Sequence, residues 1–262
     1  MTARRTITLT ALLALAPLAA AAAQAGDFRW TGTLAEGKTL EIHNVNGEID
    51  AEPASGRQIE VVAVKEEGRR GDADEVEIRR VDFEDGVVIC AVYPAPRGKP
   101  ENTCEPGGGR MNTQNNDTEV HFRVRVPAGI RLVAHTVNGG VDARGLRSDV
   151  DAASVNGGVT VATSGVAEAS SVNGAVDVTM GRADWDGVLK FTTVNGALSV
   201  TLPGSLDADV RAQTVNGDME SDFPLTVRGK WGPRKMSGTI GRGGRSLVLE
   251  TVNGEIALRR AR

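Results

Sequence analysis

The sequence predicts an all-β protein, a parallel β-solenoid with stacked corners, and three observations predict it. Val-Asn-Gly occurs seven times, with its asparagines at Asn46, Asn138, Asn156, Asn173, Asn195, Asn216 and Asn253. Apolar and polar residues alternate on both sides of each copy, which is the period of a half-buried strand. No window of comparable length carries the 3.6-residue period of an amphipathic helix.

The chain opens on a segment with a different character. Arg4 and Arg5 precede an apolar, alanine-rich run from Ile7 to Ala23, and Ala23-Gln24-Ala25 supplies a small-x-small cleavage pattern. Residues 1–25 are therefore expected to be a signal peptide. No cysteine follows at which a lipid could attach, and no second run of about 20 apolar residues follows, so no membrane span is expected in the mature chain. Loss of residues 1–25 removes two arginines and takes the formal net charge from −4 to −6. That balance argues against a nucleic-acid groove, which needs a basic face.

Residues 26–128 form a less regular β region, expected to be continuous with the solenoid because Asn46-Gly47 already belongs to the repeat. Ile59–Val64, Val76–Ile78, Val87–Val92 and Val120–Val126 read as strands. A Gly-, Pro- and Asn-rich stretch at 94–117 reads as a surface excursion. Cys90 and Cys104 are the two cysteines of the chain. In an exported protein they are expected to form a disulfide that tethers the first half of this loop. A metal or redox pair is the other reading, but the spacing is not Cys-x-x-Cys and no histidine lies nearby in sequence.

Residues 129–262 carry the regular repeats. Asparagines from Asn138 to Asn216 are spaced 18, 17, 22 and 21 residues apart; the last gap, 37, reads as two units, with Met236–Ile240 as a degenerate copy. Two residues before the asparagine stands a hydroxyl residue (Thr136, Ser154, Ser171, Thr193, Thr214, Thr251), replaced by Asn44 in the first copy. Positions −6, −4, +3 and +5 are mostly apolar, as in Leu132, Ala134, Val141 and Ala143. The alternation slips by one residue across Val-Asn-Gly, and two geometries explain the slip. In an antiparallel meander, each Asn-Gly (46–47, 138–139, 156–157, 173–174, 195–196, 216–217, 253–254) is a type I′ hairpin turn. In a parallel solenoid each is a corner passing through left-handed φ, with asparagines laddered at about 4.8 Å. The valine decides the choice: a meander exposes seven of them, whereas a corner is expected to bury them.

Repeated Thr-Val-Asn-Gly-x-apolar units preceded by Val-Arg-Val-Pro-Ala-Gly (Val124 to Gly129) resemble the bacterial putative adhesin domain family, to which auto-transporter adhesin heads are related. The resemblance covers most of residues 40–258. It implies a β-solenoid on an exported protein and brings no catalytic residues to carry over.

The chain has none of the sequence patterns of a serine-hydrolase elbow, a Ser-x-x-Lys nucleophile, a zincin or a Walker loop. No catalytic residue, cofactor or metal ligand is therefore expected. His43 and His135 share one outward repeat position and can meet only if their coils are adjacent; both read as solvated. Four after the asparagine the row is Asp50, Asp142, Thr160, Asp177, Ser199, Glu220 and Ala257, too interrupted for calcium, which takes six to eight oxygens. Trp185 and Trp231, read as loop residues, are the candidate exposed contacts. The expected function is a non-catalytic envelope or surface module, periplasmic or extracellular and adhesin-like, whose partner is an envelope protein or a glycan. The alternative is a polysaccharide-binding or polysaccharide-cleaving β-helix, which a cleft lined by two carboxylates and a basic residue would favour.

Overall fold

A computed structural model describes residues 28–228 and 233–261. The expected signal peptide and Trp231 lie outside the described residues. Twenty-one strands form one sheet of ten and one of eleven, packed face to face. The β-solenoid, and not the meander, is the architecture: every Val-Asn-Gly copy joins a strand in one sheet to a strand in the other. In the Asn173 coil, for example, Ala167–Ser170 lies in the eleven-stranded sheet and Val176–Met180 in the ten-stranded one. Neighbouring coils pair in parallel and in register, so Val159, Val176 and Leu198 line up, as do Val161, Val178 and Val200. These rows are fully buried and form the core between the sheets.

The corners explain the motif. From Asn138 onward each asparagine donates from Nδ2 to Oδ1 of the one before it in the stack, at 2.7–2.9 Å, and the ladder runs unbroken from Asn46 to Asn216. Behind it, each hydroxyl residue is buried and donates to the carbonyl of a glycine in the adjacent coil, as Ser154 does to Gly139 (2.7 Å) and Ser171 to Gly157 (2.8 Å). The bond satisfies a corner carbonyl, and each such bond contributes roughly 0.5–1.5 kcal/mol. The hydroxyl residue, not the valine, fills the inside of the corner. Val137, Val155, Val172, Val194 and Val252 are 37–39% exposed, and among these corners only Val45 is fully buried. The solenoid is thus correct although the valine argument for it fails: the chain turns immediately after the hydroxyl position and sends the valine outward.

The glycine also has a different role from the one expected. Gly47 (φ 107°) and Gly139 (φ 155°) have the positive φ expected, but Gly157, Gly174, Gly196, Gly217 and Gly254 lie outside the left-handed region. Close stacking demands them instead. A Cβ on Gly174 would lie 2.0 Å from the carbonyl oxygen of Gly157, and one on Gly254 would lie 1.8 Å from that of Gly196. Backbone cannot yield as a flexible side chain can. We expect Gly174→Ala to cost about 1–3 kcal/mol, the usual penalty of forced overpacking. Chemical denaturation that gave the same midpoint and slope as wild type would refute this.

Chain order and stack order part company at both ends. The stack runs Asn46, Asn138, Asn156, Asn173, Asn195, Asn253, Asn216, so the C-terminal coil is inserted between two earlier ones. Its strands Ser246–Glu250 and Ile256–Arg260 pair in parallel on both sides. Met236–Ile240 is no degenerate copy. It belongs to the strand Arg234–Ile240, which runs antiparallel to Ala208–Thr214 and pairs with Thr226–Arg228 to cap the eleven-stranded sheet. At the other end, Gly86–Val92 and Glu119–Val126 build an outer coil beside the Asn46 coil, with the 94–117 excursion in place of a Val-Asn-Gly corner. Antiparallel strands, Glu77–Phe83 on one sheet and Ile59–Glu66 with Phe28–Gly32 on the other, close that end. Antiparallel caps blunt parallel edges that would otherwise template further stacking.

Candidate functional site

The stack has two long edges of different character. The Asn-Gly edge is straight, and its amides bond one another along the ladder. Its chemistry is consumed by stacking.

The second feature is the excursion. A disulfide joins Cys90 to Cys104, with Cα atoms 5.7 Å apart. The tethered loop lies over the outer face of the eleven-stranded sheet, where Val88, Cys90 and Val92 are buried beneath it. The Gly107 N–H donates to Glu41 Oε2 at 2.7 Å, and Glu41 also bonds His43 Nε2 at 3.0 Å. The coils of His43 and His135 are adjacent, and the rings meet edge-on with centroids 5.3 Å apart. His135 reaches Asp151 at 3.2 Å. His43 is therefore not solvated: it is 6% exposed. Among the described residues, no group of three histidine, cysteine or acidic side chains is placed to hold a metal ion. The other groups near the excursion do not converge on this cluster. His121 sits among Glu48, Glu66 and Glu119 at 3.5–3.8 Å. Asp117 accepts from the Arg70 N–H, while Glu101 lines a small hollow with Tyr93 and Arg79.

Burial holds the His43 imidazole below its usual pKa of 6.5, outweighing the opposing effects of Glu41 and Asp151; the neighbouring His135 lowers it further. An imidazole depressed in the folded state takes up its proton more readily when unfolded. Its stabilisation is complete above the unfolded pKa and is lost as pH falls below it. We expect stability to decline between about pH 7 and 5. His43→Gln should flatten part of that decline; an unchanged pH profile would remove His43 as the cause.

The third feature is the other long edge, where the turns differ in length. Five successive turns stack there, linked by Gly37 N–H to Gly129 O, Gly129 N–H to Arg147 O, Val166 N–H to Asp149 Oδ1 and Arg182 N–H to Gly165 O. The turns at 147–149 and 164–166 are three residues long, whereas the next, at 181–187, has seven. Unequal turns leave an open groove of about 720 Å³ and an adjoining hollow of about 320 Å³ that share Arg131, Asp149 and Arg182. Arg182 pairs with Asp149 (3.4 Å) and with Asp184 (2.6 Å), whose carboxyl it holds below the usual range. Glu168, also lining the hollow, has its pKa raised by burial first and by Asp151 second, against Arg131 and His135.

Trp185 requires a correction. It lies in the 181–187 turn but is 6% exposed, packs into the core and donates its indole N–H to Ser246 O at 3.0 Å. It anchors the turn that walls the hollow and presents no ring face to solvent. The variable turns of this edge were missed from sequence because they share no residue pattern. The signal that was present is the difference in repeat spacing, 17 residues against 22.

A two-sheet stack of parallel coils, one edge straight and the other built of unequal turns, defines a β-solenoid scaffold of the toastrack kind. The chain belongs to the Toastrack DUF4097 family, whose model matches residues 34–259. Among solved structures, the chain is similar to a putative cell adhesion protein from Clostridium sporogenes, at 13% identity and a TM-score of 0.45, over 90% of this chain and 100% of that one. It is also similar to a putative adhesin from Bacteroides fragilis, at 7% identity and a TM-score of 0.25, over 90% and 97% of the two chains. No curated protein matches the chain by sequence.

Proposed function

We propose that this chain is a non-catalytic, exported binding module of the cell envelope. The observation that carries the reading is the contrast between the two long edges. A stack of in-register parallel coils keeps one edge uniform and builds the other from turns of unequal length, the arrangement by which a scaffold presents variable loops to a ligand. Export is supported by the leader-like first 25 residues and by the disulfide over the outer sheet. The experiment is retention of labelled chain, begun at Gly26, on isolated cell envelopes. The folded chain should be retained well above the heat-unfolded chain, and equal retention would sink the proposal.

One observation favours a second reading, cleavage of a polysaccharide. The groove and hollow bring together carboxylates and arginines, and Glu168 is biased toward the protonated form that a general acid needs. Against it, Asp149 and Asp184 are both held by Arg182, so neither stands ready as the partner base. Release of reducing sugar that vanished in Glu168→Gln would establish the second reading and overturn the first.

A further inference from the structure

The groove along the variable edge has a shape and a lining that limit its occupant. It crosses five stacked turns, from Gly37 through Gly129, Ser148 and Gly165 to Arg182, a path of roughly 19 Å at the usual strand spacing. Its volume of about 720 Å³ is open along its length, and falls in the range of about 300–1,000 Å³ common for ligand sites. A long, shallow path running along the stack suits a linear chain better than a compact molecule.

The lining carries both signs of charge. The carboxylate of Asp149 is occupied by the Val166 N–H and by Arg182. Arg131 reaches a carboxylate, Asp151, only at 3.7 Å, and Arg147 has no ion-pair partner among the described residues. Two guanidinium groups therefore have donors to spare on one wall. Glu36 offers acceptor oxygens at one end of the path. Ser148 also lines the groove, but it is 7% exposed and its hydroxyl is buried. A simple polyanion would meet Glu36 and Asp149, and a polycation would meet the arginines. A polyhydroxylated chain bearing spaced carboxylates satisfies both sets. Its hydroxyls donate to the acidic side chains and its carboxylates take the guanidinium forks, which match them two bonds at a time.

From this the geometry points to a binding site for an acidic polysaccharide, a chain of sugar units with uronate-type carboxylates, lying along the 37–182 groove with Arg131 and Arg147 as its anion contacts. This rests on the reading of the chain as a binding module and names the ligand class of that module.

The test uses the chain from Gly26 onward, with polygalacturonate oligomers as the acidic probe and dextran oligomers as the neutral one, followed by calorimetry or by retardation in polymer-containing gels. Polygalacturonate is expected to bind at least tenfold more tightly than dextran. The double variant Arg131→Ala/Arg147→Ala should lose at least tenfold of that affinity, and Arg147→Glu alone should lose a comparable amount. Arg211→Ala, on the Asn216 coil away from the groove, should bind as wild type does. Matching thermal melts would show that the variants fold. Polygalacturonate binding that the groove variants leave unchanged overturns the site, and equal affinity for dextran overturns the role given to the arginines. No polygalacturonate binding, with retention on envelopes intact, overturns the ligand class while the binding module stands. Loss of envelope retention by the wild-type chain overturns both.

Discussion

A chain ending at Arg245 should lose cooperative folding, and the loss should extend well beyond the residues removed. Leu247, Leu249, Ile256 and Leu258 of the inserted coil are at most 1% exposed. At about 1.5–3 kcal/mol for each fully buried side chain, these four supply about 6–12 kcal/mol, against a typical total stability of about 5–15 kcal/mol. Topology enlarges the effect. In the sheets, Ala208–Thr214 reaches the rest of the solenoid only through Ser246–Glu250, and Met219–Ser221 only through Ile256–Arg260. Removing the last coil therefore detaches the Asn216 coil and its capping strands, and bares the parallel edges of Val188–Thr192 and Leu198–Leu202. Hydrogen exchange should show loss of protection over 208–214 and 234–240 as well as a broadened melt. A truncated chain that kept wild-type protection at Val210 and Ala212 would show that the Asn216 coil holds without its inserted neighbour.

Breaking the Cys90–Cys104 disulfide should give the next largest effect. Its partners are 14 residues apart, and a loop of that size is worth about 3 kcal/mol in the chain-entropy model. For a chain of this length that corresponds to roughly 6–12 °C in melting temperature. The loop roofs Val88, Val92, Glu41 and His43, so its release should also admit water to the His43 site and weaken the pH dependence attributed to that residue. Cys90→Ser/Cys104→Ser measured beside the wild-type chain, with and without dithiothreitol, separates the bond from the reductant. Coincident melts for all four samples would mean that the excursion contributes no measurable stability through its tether.

The sequence by itself determined the repeated strand-turn-strand coil and the contents of its core. Both are local and periodic. Strand alternation places Leu132, Ala134, Val141 and Ala143 inward, and the same offsets recur around every Asn-Gly, so one coil describes the others. The hydroxyl row was legible as a recurring position for the same reason. Only the tertiary structure decided what faces what. Val-Asn-Gly looked like a left-handed corner with buried valines, because glycine and asparagine favour positive φ. Beyond Gly47 and Gly139, which do have positive φ, it is instead a contact between stacked backbones, which puts Gly157 and Gly174 against neighbouring carbonyls and leaves Val155 and Val172 partly exposed. That contact spans coils and has no signature within one. Coil order escaped the sequence for a related reason. Thr251-Val252-Asn253-Gly254 is chemically equivalent to its neighbours, so nothing in its own residues sets its place, yet it stacks between Asn195 and Asn216 while the connection before it supplies an antiparallel capping strand. The same logic separates the two long edges. The straight edge repeats and could be read. The grooved edge comes from turns whose lengths differ, and its concavity exists only once unequal turns are stacked side by side.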